Sequence, residues 1–174
     1  AVLGCLKRLG PRAEAALPAM IKLLDDPICR RPWDRNLIET FAAVGDKALA
    51  PLEKVVRQGA TTTAAKAIAS IGPTGVHALL KMHGDLPAER QAYLRSGLFN
   101  GLPSLYKTSS KEPPTEAQKK AARAVVELAR SVKSATLIRQ VAWLGEELVP
   151  VLRPMLKDSN RGAQVSTAKA AKAM

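Results

Sequence analysis

The feature that most constrains this chain is a short step that recurs along it: an aliphatic residue, a glycine, a proline or polar residue, then an amphipathic helical run. Its clearest copy is Ile71-Gly72-Pro73-Thr74-Gly75-Val76-His77-Ala78-Leu79-Leu80-Lys81-Met82. Leu9-Gly10-Pro11, Val44-Gly45-Asp46 and Leu144-Gly145-Glu146 open the other copies. Glycine after the last apolar residue of a helix is a C-terminal stop, because it takes positive φ without a Cβ clash. Proline directly after it suits the first position of the next helix, where the N–H needs no partner. Pro11 and Pro73 hold that slot, and Asp46 can cap the following helix in its place. Each copy therefore predicts helix, tight turn, helix. A second proline follows at Pro18, Pro51 and Pro150, which costs little if the regular helix begins only there. One such hairpin cannot bury both of its apolar faces, whereas stacked neighbours can.

The Leu/Val/Ile-Gly pairs, Ala13, Ala48, the prolines and the helix endings Leu23-Leu24-Asp25-Asp26-Pro27 and Leu156-Lys157-Asp158-Ser159-Asn160 resemble the HEAT-repeat family. The nearest form is the short HEAT-like repeat also found in phycobilin lyase subunits. The resemblance covers about four fifths of the chain and implies an all-α fold, an α-solenoid of stacked antiparallel helix hairpins forming a HEAT-like superhelix. It implies for function a scaffold or binding surface, with the inner helices lining a concave face. The copies are unevenly spaced: 35 residues separate Gly10 from Gly45, 27 separate Gly45 from Gly72, and 73 separate Gly72 from Gly145. The third copy also carries His77 where the others have the second proline.

The 174 residues fit a single array over 1–174, expected to be an excerpt of a longer chain, with 101–114 as an inserted loop. Gly101, Pro103 and the run Thr108-Ser109-Ser110-Lys111-Glu112-Pro113-Pro114 cannot all be helical. One helical turn is expected near Leu102–Tyr106, and exposed backbone over 107–114. Aromatic residues are only 3% of the chain, which suits a core of closely packed alanine- and leucine-rich helices. No apolar run approaches the roughly 20 residues that a membrane helix needs. Cys5 and Cys29 are expected at opposite ends of a hairpin, beyond the ~7 Å limit for a disulfide. Two free thiols point to a reducing, cytoplasmic setting.

The search for chemistry finds no nucleophile elbow, phosphate-binding loop or His-Glu-x-x-His motif. With His77 and His83 as the only histidines and no Cys-x-x-Cys, neither a metal site nor a cofactor site is expected. Asp25-Asp26 and Glu146-Glu147 are adjacent acids whose side chains diverge by about 100° on a helix, so neither is a carboxylate pair. The expectation is a non-enzyme.

The net charge of +12 favours anionic partners. Three function classes follow. The first is a protein-interaction scaffold with a protein partner, acidic on charge grounds. The second is nucleic-acid binding through phosphate contacts. The third is a non-catalytic subunit of a lyase-type enzyme, after the family precedent. The five inner segments, 11–26, 46–58, 73–84, 115–133 and 146–158, together carry only +3 of the charge, against a phosphate-tracking groove. The most basic of them is 115–133, which holds the helix expected over 115–132. Thr115 and Gln118 are spaced for a capping box. Ala117, Ala121, Ala124, Val125, Leu128 and Val132 are expected inside. Glu116, Lys119, Lys120, Arg123, Glu127 and Arg130 form the opposite face, with Glu116 and Lys120 as an i,i+4 pair. Lys119, Lys120, Arg123 and Arg130 are the candidate binding residues, joined by Lys107 and Lys111 of the inserted loop.

Overall fold

In the computed structural model, Gly10, Gly45, Gly72 and Gly145 all take positive φ, at 56°, 76°, 119° and 61°. These are the four glycines of the repeated step. The structure describes residues 2–25, 34–59, 62–105, 112–132, 134–150 and 153. All regular secondary structure among them is helical, so the protein is all-α. The described residues fall into two compact units, Ala1–Leu105 and Tyr106–Met174.

The first unit contains α1 (Val2–Leu9), α2 (Leu17–Asp25), α3 (Asp34–Val44), α4 (Leu49–Gly59), α5 (Thr62–Ile71), α6 (Pro73–Asp85) and α7 (Ala88–Gly101). Short 3-10 segments, Gly10–Ala16 and Gly45–Ala48, lead into α2 and α4. Pro18 and Pro51 therefore lie in the first turn of a regular α-helix, where a missing N–H breaks no bond. Packing follows the parity of the chain. Helix α1 packs on α3, α3 on α5 and α5 on α7, while α2 packs on α4 and α4 on α6. Across the layers, α5 also touches α4 and α6.

Ion pairs join neighbouring elements at the seams. Lys7 of α1 reaches Glu39 of α3 at 2.7 Å, and Arg57 of α4 reaches Asp85 of α6 at 3.4 Å. Lys47 and Glu14 tie the two 3-10 segments together. Buried Thr40 directs its hydroxyl to the Asn36 carbonyl at 2.7 Å and lies 3.3 Å from the Leu3 carbonyl of α1.

The core centres on α5, where Ala64, Ala65, Ala67, Ile68 and Ala69 are fully buried. Its crossing with α7 is close because glycines face it. A Cβ on Gly97 would lie 2.3 Å from Ala65 Cβ, and one on Gly101 2.3 Å from Ala69 Cβ. Side chains of ordinary size would hold the two axes farther apart.

On α6 the buried residues are Gly75, Val76, Leu79, Met82 and His83, and Leu80 is only half-buried. On α1 the inward residue is Leu3, whereas Val2 and Leu9 are 72% and 50% exposed. Helix α7 runs on to Gly101, and a 3-10 turn spans Leu102–Ser104 with Leu102 and Leu105 buried. Of 107–114, residues 107–111 lie outside the described residues. Glu112 and Pro113 are exposed and Pro114 is half-buried. Cys5 is free and exposed; Cys29 lies outside the described residues. Among the described residues no helix is long and apolar enough to cross a membrane.

The second unit contains α8 (Glu116–Ser131), α9 (Ala135–Gln140) and a 3-10 segment, Ala142–Leu148, kinked at Gly145. All three pack on one another. Ser134 caps α9 by accepting from the Leu137 N–H at 3.4 Å.

Candidate functional site

The site read from the sequence stands on α8, whose start is set by the expected capping box. The Gln118 N–H donates to Thr115 Oγ1 at 3.2 Å, and the Thr115 N–H donates to Gln118 Oε1 at 2.7 Å. Two of the orphan donors of the first turn are thereby satisfied. The helix buries Ala121, Ala122, Val125, Val126 and Ala129. Ala117 is exposed, and Ala124 and Leu128 are half-buried, so the buried stripe is rotated from the expected one toward Ala122 and Val126.

That rotation positions the charged face. Lys120, Arg123, Glu127 and Arg130 are exposed and Lys119 is half-buried. Glu116 pairs with Lys119 at 2.9 Å, three residues on, rather than with Lys120 as the i,i+4 spacing suggested. Arg123 makes a two-pronged contact with Glu147 of the 3-10 segment, Nε to Oε2 at 2.7 Å and Nη2 to Oε1 at 3.2 Å. The fork geometry of guanidinium and carboxylate favours this arrangement. It holds the Glu147 carboxyl below its usual range, through the hydrogen bond from Arg123 first, with the charges of Arg123 and Lys119 acting in the same direction. Arg123 is raised in turn, chiefly by its hydrogen bond to Glu147.

The four candidate residues thus divide. Lys119 and Arg123 are engaged with acids, and Lys120 and Arg130 have no acidic ion-pair partner among the described residues. Lys107 and Lys111 lie outside the described residues. Beside the Arg123–Glu147 pair runs a shallow groove of ≈ 370 Å³, lined by Arg123, Ala124, Val126, Glu127, Leu144, Glu147 and Leu148. Its floor is apolar and its rim carries both signs of charge. The sequence reading missed the part played by Glu147. Opposite charge was the only signal, and 24 residues separate the partners.

In comparisons with family models, curated proteins and solved structures, nothing matches this chain.

The two histidines show no site geometry. His83 is buried between α6 and α7, with Nε2 3.3 Å from Arg95 Nη1. Burial foremost, and the neighbouring Arg95 charge, push its pKa down. A guanidinium can only donate, so in this contact His83 Nε2 accepts from Arg95. His77 is half-buried on α6. Among the described residues no group of three His, Cys, Asp or Glu side chains is placed to hold a metal ion. What α8 offers chemically is a polar contact surface with cations at its exposed edge.

Proposed function

We propose that the protein is an interaction scaffold of stacked antiparallel helix hairpins, HEAT-like in kind, that binds an acidic protein partner. The observation that carries this reading is the packing of the first unit. Odd-numbered helices contact the next odd-numbered helix and even-numbered helices the next even-numbered one, with glycines of positive φ at the hairpin turns. Arrays built this way present a row of helix faces with room for a polypeptide, and they serve as binding surfaces. The net charge of +12 supports an acidic partner through faster encounter and electrostatic complementarity.

On α8 the proposed partner-facing residues are Lys119, Lys120, Arg123 and Arg130. Lys120 and Arg130 make the direct contacts, while Lys119 and Arg123 are held back by Glu116 and Glu147. The test is affinity capture from nuclease-treated lysate at low salt, comparing the wild type with a Lys120→Glu, Arg130→Glu variant shown by circular dichroism to be folded. A protein retained by the wild type and lost by the variant supports the reading. Equal retention removes α8 from the contact surface. Capture of nucleic acid alone, in a parallel experiment without nuclease, overturns the scaffold.

A further inference from the structure

Helices α2, α4 and α6 lie side by side in the first unit, and each carries a lysine on the side away from its core. In α2, Lys22 is two residues from both Met20 and Leu24, which are buried. In α4, Lys54 is two residues from both Leu52 and Val56, and in α6, Lys81 is two residues from Leu79. A two-residue step turns a helix by about 200°, so each lysine points opposite the buried stripe of its helix. All three are exposed. Counted from the turn glycine of their own hairpins, Lys54 and Lys81 are both nine residues on and Lys22 is twelve. They form one row across three consecutive helices, with Lys22 about one turn farther along.

Of the other cations of this layer, Lys47 and Arg57 are spent on the fold, and exposed Arg12 lies back in the 3-10 segment Gly10–Ala16. Lys47 pairs with Glu14 and Arg57 with Asp85. Both pairs sit at seams between neighbouring elements. Lys54 and Lys81 lie within their helices and Lys22 in the last turn of α2, and among the described residues Lys22, Lys54 and Lys81 have no acidic ion-pair partner. Among the acids of the layer whose side chains are described, none cancels it: Glu14 and Asp85 are taken, Glu53 is half-buried on α4, and Asp46 lies back at the hairpin turn.

We infer that this lysine row is a docking strip for an extended acidic segment of a partner protein, with an acidic side chain at every third residue. The inference rests on the scaffold reading and specifies its partner. Packed helices stand about 8–10 Å apart. In a polyproline II segment every third side chain returns to the same face, about 9 Å further on. Acids three apart on such a segment would meet one lysine per helix. This conformation also has little ordering entropy to lose on binding. A nucleic acid fits less well, because its phosphates follow one another far more closely than the lysines do. Three widely spaced cations would leave most of the phosphates uncompensated.

The test is a low-salt fluorescence-anisotropy titration of the 174-residue chain with a labelled peptide of repeated Glu-Pro-Pro triplets. Three further probes accompany it: the Gln-Pro-Pro peptide, a peptide of the same composition with its glutamates clustered, and an oligodeoxythymidine of matched charge. The Glu-Pro-Pro peptide should bind, weaken as salt rises, and bind more tightly than the other three. A Lys22→Gln, Lys54→Gln, Lys81→Gln variant with an unchanged circular dichroism spectrum should lose roughly tenfold in affinity, the scale of three exposed charge contacts. The inference is overturned if that variant stays within about twofold of the wild type, if any other probe binds as well, or if no peptide binds up to millimolar concentration. Each of those results leaves the scaffold reading standing wherever the wild type still captures a protein partner; failure of the scaffold shows as the absence of any captured protein.

Discussion

Arg123 and Glu147 face each other across the second unit in a two-pronged contact, at 2.7 and 3.2 Å. The guanidinium in the middle of the basic face of α8 is therefore already answered by an acid of the same chain. Removing that acid should free it. Glu147→Gln should be retained to higher salt on a heparin column than Glu146→Gln, although both variants lose the same formal charge. The thermal midpoint should move little, since exposed ion pairs contribute little to stability. Equal retention of the two variants would show that Arg123 is not masked by its partner.

The close approach of α5 and α7 depends on Gly97. A Cβ there would meet Ala65 Cβ at 2.3 Å and the Ala65 carbonyl carbon at 2.8 Å. Backbone atoms cannot swing aside as the end of a side chain can. Gly97→Ala should destabilise the protein by roughly 1–3 kcal/mol through overpacking, less the gain of about 1 kcal/mol in helix propensity. Adding Ala65→Gly should restore only part of the loss, because the backbone contacts remain. Urea denaturation of the two variants measures both effects, and a stabilised Gly97→Ala would contradict the packing described.

Leu79 and Leu80 are adjacent leucines in different surroundings. Leu79 is fully buried and Leu80 only half-buried. Leu79→Ala should cost about 2–5 kcal/mol, including the cavity left behind. Leu80→Ala should cost about 1 kcal/mol, in proportion to the smaller area removed from water. The reverse ranking in chemical denaturation would put the core face of α6 on the wrong side.

His83 should make stability depend on pH in a defined direction. Its folded-state pKa lies below the ordinary value, because burial and Arg95 both oppose the imidazolium. Above about pH 6.5 the ring is neutral in both the folded and unfolded states, and stability is unaffected. As pH falls below that value the unfolded chain takes up a proton first, so stability declines until the folded-state pKa is passed. His83→Gln offers Arg95 an acceptor that does not titrate. Between about pH 7 and 5 the variant should lose less stability than the wild type, and parallel pH profiles would remove His83 as the cause.

Local chemistry was the legible part of this sequence. The turn glycines, the prolines in the first turns of α2 and α4, and the Thr115–Gln118 cap all follow from rules that operate within one helical turn. Helix faces were harder to place. Aliphatic residues at three- and four-residue spacings allow two neighbouring stripes, and only packing partners choose between Leu79 and Leu80 or between Ala124 and Ala122. In the candidate site the basic residues of α8 could be named, but not which of them were spoken for. Glu116 chose Lys119 over Lys120, and Arg123 found its acid on another element. Those choices depend on tertiary placement that no local pattern carries.

The alanine-rich helix α5 touches α3, α4, α6 and α7 with almost no side-chain bulk of its own. Water can reach its amides only when several neighbours withdraw together. Hydrogen exchange there should report opening of the first unit as a whole, while the outer turns of α1, with Val2 and Leu9 facing solvent, exchange through local fraying. The slowest protons of the first unit will then lie on its plainest helix, and their exchange rate is a direct clock for how often the unit comes apart.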